Sequence, residues 1–152
     1  MIGEYVCKLD EKGRLSLPAR LRAQFPESAG SSLVVNRGFE KCLVLYTQED
    51  WLQETSKLTA VDDFLSPEIR RFKRIFTNGA NLVQIDNAQR VLIPKKLCEY
   101  AGLTDEVVLS AYGNKVEIWS RSNYDTELLV DAEELSKLAQ NFHKQVGGSK
   151  EA

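Results

Sequence analysis

Two arginines, Arg14 and Arg90, each stand four residues after an aspartate, in the stretches Asp10-Glu-Lys-Gly-Arg14-Leu-Ser-Leu-Pro18 and Asp86-Asn-Ala-Gln-Arg90-Val-Leu-Ile-Pro94. A guanidinium is always charged and offers a rigid fork of N–H donors that matches a carboxylate, a phosphate or the O6/N7 edge of guanine. With its own Asp across a turn, each Arg has two roles open to it. It can staple the hairpin as an ion pair, worth about 0–1 kcal/mol if exposed. Alternatively, the two arginines can form a paired basic platform, with Asp10 and Asp86 orienting the loops. Lys12 adds a cation beside Arg14. The second loop has Ala88 at that place and Gln89 in place of Gly13. Gln89 can hydrogen-bond a base or phosphate, and Asn87 is expected to supply the positive φ that Gly13 supplies in the first loop.

The elements that position these residues occur twice. Shifting the first copy by 76 residues superposes Gly3 on Gly79, Asp10 on Asp86, Arg14 on Arg90, Pro18 on Pro94 and Leu21 on Leu97. Further on, Leu45-Tyr46-Thr47 falls on Ile118-Trp119-Ser120 at a slightly shorter offset, the difference being absorbed between Pro26 and Ser32. A duplication of this kind governs the fold. Each copy reads as strand, D-x-x-x-R turn, strand, Pro-initiated short helix, hairpin and helix. Thr47 and Ser66 look like helix caps, Gly102 like a helix stop, and one long helix is expected from Ser122 onward. Four short strands make a marginal module, so the two copies must pair. The expected organisation is a first repeat over 1–58, a helical linker over 59–77, a second repeat with a C-terminal helix over 78–142, and a disordered tail over 143–152.

Composition removes several function classes. There is one histidine, His143, near an end expected to fray, so the commonest general base and metal ligand is missing from the core. Cys7, Cys42 and Cys98 are widely separated and read as buried free thiols rather than a disulfide framework or zinc site. No phosphate loop, nucleophile elbow or metal-ligand spacing is present, so no catalytic residue, metal or cofactor is expected. The aromatics Trp51, Phe72, Phe76, Trp119, Tyr124 and Phe142 read as core or subunit contacts. Arg70, Arg71, Lys73 and Arg74 read as the solvated face of a helix. No apolar run is long enough for a membrane span. The net charge of -2 is unevenly spread, with bases gathered in residues 1–22 and five acids between Asp125 and Glu134. That asymmetry permits nucleic-acid binding without predicting it.

Paired D-x-x-x-R motifs, each followed by an alternating apolar strand and a Pro-initiated helix, resemble the MraZ family of bacterial transcriptional regulators over Ile2 to about Phe142. The resemblance implies a mainly β, α+β fold of two pseudo-symmetric AbrB/MazE/MraZ-like swapped-hairpin repeats (a double-split β-barrel) with additional helices after each repeat. It implies a sequence-specific DNA-binding regulator, a ring-forming homo-oligomer acting on short G-rich direct repeats in the promoter of the division and cell-wall gene cluster. Carried onto this chain, it places Lys12, Arg14, Gln89 and Arg90 at double-stranded DNA and makes Asp10, Gly13, Asp86 and Asn87 loop organisers. The implied location is the cytoplasm, at the nucleoid, with no membrane partner. From another functional class, a homo-oligomeric scaffold or protein-binding adaptor without a DNA target remains the alternative.

Overall fold

The computed structural model describes residues 1–150; residues 151–152 lie outside it. In the first half, β1 (Ile2–Lys8), β2 (Arg14–Ser16), α1 (Ala19–Arg22), β3 (Ser32–Arg37), β4 (Leu43–Thr47) and α2 (Gln48–Thr59) follow one another. The linking helix α3 (Pro67–Asn78) leads into β5 (Asn81–Gln84), β6 (Arg90–Leu92), α4 (Lys95–Ala101), β7 (Glu106–Tyr112), β8 (Lys115–Ser120), α5 (Arg121–Leu128) and α6 (Ala132–Lys150).

Neither half completes its own sheet. β1 pairs with β7, so that Cys7 faces Val107, while β5 pairs with β3, so that Val83 faces Leu33. These pairings are reciprocal, since Cys7 and Val83 are duplicates of one another, as are Leu33 and Val107. β4 and β8 meet at the centre of a six-stranded antiparallel sheet ordered β1-β7-β8-β4-β3-β5. β2 and β6 leave this sheet and pair with each other as a separate two-stranded ribbon, with Leu15 opposite Val91 on the pseudo-twofold axis. This is the swapped-hairpin arrangement that the family resemblance implies. The strands do not close into a barrel: they form an open sheet and a ribbon, joined to one another through the single bridges Leu9–Leu15 and Ile85–Val91.

The main core lies between sheet and ribbon. Leu15, Leu21, Leu33, Val35, Leu43, Val91, Val107, Leu109, Val116 and Ile118 are fully buried there, with α1 and α4 closing its flanks through Leu21 and Leu97. On the far face of the sheet, Val34, Val44 and Tyr46 pack under Trp51, while Cys42, Val108 and Trp119 pack under Tyr124. β4 therefore packs against apolar side chains on both faces, which is why it shows no alternation and is buried throughout.

Local chemistry sets the helix ends. The Thr47 hydroxyl accepts the Asp50 amide (3.1 Å) and donates to the Asp50 carboxylate (3.0 Å), so the shorter acid holds the capping hydroxyl in place of the Thr47 amide that a capping box would engage. Ser66 and Ser120 accept the amides of Ile69 and Asn123. Gly102 takes the left-handed conformation (φ 65°) that ends α4.

Two expectations change. The long helix expected from Ser122 is broken at Leu129–Asp131, because the Asp131 carboxylate accepts the Glu134 amide (2.8 Å) and starts a new helix there. That helix, α6, continues to Lys150, through most of the segment read as a tail. Its residues Leu135, Leu138 and Phe142 are exposed, as is Phe72 on α3, so Phe142 and Phe72 are not core aromatics of this chain. Burial pushes the Cys7 thiol up to about 11, and burial with the nearby Glu117 and Glu40 pushes Cys42 up to about 12, so neither is a nucleophile at neutral pH. Among the described residues no helix is long and apolar enough to cross a membrane.

Candidate nucleic-acid interface

Each D-x-x-x-R loop is a closed set of hydrogen bonds around one carboxylate. Asp10 Oδ1 accepts the amides of Lys12 and Arg14, both at 2.9 Å, and Oδ2 accepts Arg14 Nε at 2.7 Å. The Asp10 amide donates to the Arg14 carbonyl and the Gly13 amide to the Asp10 carbonyl, both at 3.0 Å. The second loop repeats the pattern: Asp86 Oδ1 accepts the amides of Ala88 and Arg90 (2.9 Å), and Oδ2 accepts Arg90 Nε (3.1 Å). In both loops the Arg amide is the main influence holding the aspartate below the ordinary carboxylate range, helped by the amide two residues on and by the guanidinium.

The geometry then joins the loops. Gly13 has φ 85°, and the residue equivalent to it, Gln89, has φ 61°. In that conformation the Gly13 carbonyl accepts the Ile93 amide (2.8 Å) and the Gln89 carbonyl accepts the Leu17 amide (2.9 Å). Each loop thus fastens the far strand of the ribbon. The positive φ falls on Gln89, not on Asn87 as the sequence reading has it, because the carbonyl at this position must point across the ribbon whatever side chain it carries. For a residue with a Cβ this backbone costs about 1–2 kcal/mol.

Alternation in the ribbon sends Leu15 and Val91 into the core and turns Arg14, Ser16, Arg90 and Leu92 outward. Arg14 stands opposite Leu92 and Arg90 opposite Ser16. The two arginines are therefore diagonal neighbours across the ribbon. Nε of each is used on its own aspartate, while the Nη groups have no hydrogen-bond partner among the described residues. Two forks are presented side by side from one rigid surface.

Lys12 and Gln89 are exposed at the tips of the loops. A residue that sequence reasoning passed over joins them: Lys95, which lines with Lys12 a groove of about 650 Å³ between the first loop and the start of α4. Its signal was the run Pro94-Lys95-Lys96, where the first copy has Pro18-Ala19-Arg20. Arg20 itself lies over the Tyr5 ring, 5.7 Å from its centroid. Glu11 and Asp105 also border the groove, so the surface is a local array of cations rather than a strongly basic field. Of the helix cations, Arg70 and Lys73 hold the 61–64 link through the carbonyls of Asp63, Phe64 and Val61 and the Asp63 carboxylate, leaving Arg71 and Arg74 exposed.

The same duplicated unit is matched in other proteins. A family model described as "MraZ protein, putative antitoxin-like" matches residues 1–75 and again 76–150. The chain belongs to the MraZ family. It is 41% identical over 140 residues to the transcriptional regulator MraZ of Cytophaga hutchinsonii, covering 92% of each chain. It is 38% identical over 144 residues to that of Heliobacterium modesticaldum, covering 93% of this chain and 97% of the relative. With that of Moorella thermoacetica the identity is 36% over 141 residues. The chain is thus a member of a family of transcriptional regulators, and the two MraZ units meet at residues 75 and 76, inside the helix α3 that links the two repeats.

Proposed function

We propose that this MraZ-family chain is a sequence-specific DNA-binding transcriptional regulator whose ribbon face meets the major groove. Arg14 and Arg90 read guanine edges or grip phosphates through their Nη forks, Lys12 and Gln89 make flanking contacts, and Asp10 and Asp86 hold the forks in place. The observation that carries this reading is the pairing of the two Asp-held arginines as diagonal neighbours on the ribbon. A guanidinium whose Nε is anchored loses less freedom on binding than a mobile one.

The ring-shaped homo-oligomer on short G-rich direct repeats, at the promoter of the division and cell-wall gene cluster, belongs to the same proposal. Two arginines and a few lysines hold DNA weakly, but several subunits on correctly spaced boxes multiply modest affinities through effective concentration. Two unlike surfaces support the assembly. One is the exposed stripe Leu135, Leu138 and Phe142 on α6, whose first turn carries Glu133 and Glu134. The other is the stack of Phe39, Phe72 and Phe76, with ring centroids 5.8–6.1 Å apart, beside Arg71 and Arg74. Contact between unlike surfaces is head-to-tail, which can close into rings and matches direct rather than inverted repeats. Such a protein works at the nucleoid.

The test is a gel-shift titration of the purified chain on its own upstream region and on shuffled DNA of equal length, at two salt concentrations. Preference for the upstream fragment that weakens with salt is expected. Equal retention of both fragments, or none, would overturn the reading.

A further inference from the structure

A second cluster lies on the far face of the sheet, away from the ribbon. The β4–β8 register sets Val44 opposite Glu117 and Leu43 opposite Ile118, so Cys42 at the entry to β4 and Glu117 on β8 project from the same face. Glu40, on the turn before β4, joins them, and the thiol and the two carboxylates lie within 4.8 Å of one another. Cys42 is fully buried. Its thiol has no hydrogen-bond partner among the described residues, and it sits under Gly38, where an added Cβ would come within 2.5 Å of Sγ. Space has been left for sulfur there.

The carboxylates are short of cations. Glu117 is half-buried and accepts one hydrogen bond, from the Trp119 indole at 3.2 Å, and neither it nor Glu40 forms an ion pair among the described residues. Glu127 adds a further negative charge, against which Lys115 is the nearby base. Two carboxylates brought together in a partly dry place repel each other until one takes up a proton or a cation joins them. The pseudo-twofold does not account for the grouping, because it places Val44 at the equivalent of Glu117 and Lys115 at the equivalent of Cys42. Duplication alone would not have produced it.

We propose that Glu40, Cys42 and Glu117 form a binding site for one divalent transition-metal ion of the zinc class. One thiolate with two carboxylates suits a borderline cation, whereas magnesium and calcium take oxygen ligands alone. Bonds of about 2.3 Å to sulfur and about 2.0–2.2 Å to oxygen require the three side chains to draw in by about an ångström. Glu40 is exposed on a turn and can move that far. Binding displaces the thiol proton and leaves a fourth position for water. The ion would tie the β3–β4 turn of the first repeat to β8 of the second, adding a side-chain cross-link to the strand ladders that already join the halves.

Cobalt(II) tests this, because a thiolate ligand gives it a charge-transfer band that oxygen ligands do not. Reduced, chelator-treated full-length protein is titrated with Co²⁺ and then with Zn²⁺. The expected result is one equivalent per chain, with a thiolate band that zinc bleaches, that Cys42→Ser removes, and that survives in Cys7→Ser and Cys98→Ser. Glu40→Gln, at an exposed position that leaves the fold intact, weakens cobalt affinity about tenfold or more. No thiolate band in the unaltered protein, a band that persists in Cys42→Ser, or unchanged affinity in Glu40→Gln would overturn the proposal. Should Cys42→Ser fail to fold, Glu40→Gln decides.

Discussion

The two D-x-x-x-R loops share a backbone and differ in nearly everything attached to it. Asp, Arg and the carbonyl that crosses the ribbon are present in both with the same set of hydrogen bonds, although the Arg Nε contact is 2.7 Å in the first loop and 3.1 Å in the second. Lys12 has no counterpart, since Ala88 takes its place, and the conformation that costs nothing at Gly13 is imposed on Gln89. The surroundings diverge as well. Arg22 on α1 reaches the Gly30 carbonyl at 2.7 Å and closes the flank beside the second loop, whereas its equivalent on α4 is Cys98, which leaves open the groove beside the first. Phe25 likewise becomes Ala101. What both loops retain is what the ribbon needs; what differs is what faces solvent. The first loop has Lys12 and Lys95 around an open groove; the proposed DNA contact gives it the larger share, and the second loop keeps the same geometry with fewer charges.

The largest expected effect that would separate the loops is in DNA affinity. Arg14→Ala should weaken binding about ten- to hundredfold, and Arg90→Ala by less, measured by fluorescence anisotropy with the fold checked by circular dichroism. Equal losses would mean that the two forks read DNA alike and that the surrounding charges are irrelevant. Next comes stability. Gly13→Ala should cost about 1–3 kcal/mol, because its Cβ would meet a positive φ and lie 3.1 Å from the Ile93 carbonyl. The mirror change, Gln89→Gly, should stabilise by about 1 kcal/mol, and a shift of the urea midpoint in the wrong direction for either would contradict the backbone argument. Ala88→Lys, which gives the second loop the cation it lacks, should tighten binding a few-fold and steepen the salt dependence by about one unit of slope. The smallest effect should be the same in both loops. Asp10 and Asp86 are held below their ordinary value, so their contribution to stability is complete above about pH 4 and is lost as pH falls through the folded values. Carboxyl titration by NMR should find both depressed; an ordinary value for Asp86 would show a loop that has lost its skeleton.

Much of this was legible because it rests on local chemistry. The offset between Asp10 and Asp86, the prolines that open α1 and α4, the caps Thr47 and Ser66 and the stop at Gly102 each act within a few residues, and sequence shows them directly. Strand exchange is another matter. The alternation of Val107, Leu109 and Ala111 says which face is buried but not which strand lies alongside; only the family resemblance implied the exchange, and the partnership of β1 with β7 is seen in the structure. Gln89 was misread because residue preference favours Asn87 for positive φ, while a hydrogen bond from Ile93's duplicate, Leu17, fixes the choice instead. Lys95 was missed because it approaches the first loop only after the exchange. The stripe on α6 had the right spacing for a buried helix, and periodicity cannot tell whether the covering surface is in the same chain.

The exchange of strands has a consequence for the order in which the protein is made. A ribosome that has delivered the whole first repeat has delivered β1 and β2 without their ladder partners, because β7 and β6 come later in the chain. Translation takes seconds, at about 5–20 residues per second, while the β3–β4 hairpin can form in microseconds. For that interval the nascent chain carries open strand edges, and a neighbouring nascent chain on the same message bears the same complementary strands. The yield of correctly closed monomers should therefore depend on ribosome spacing along the message as well as on the stability of the finished fold.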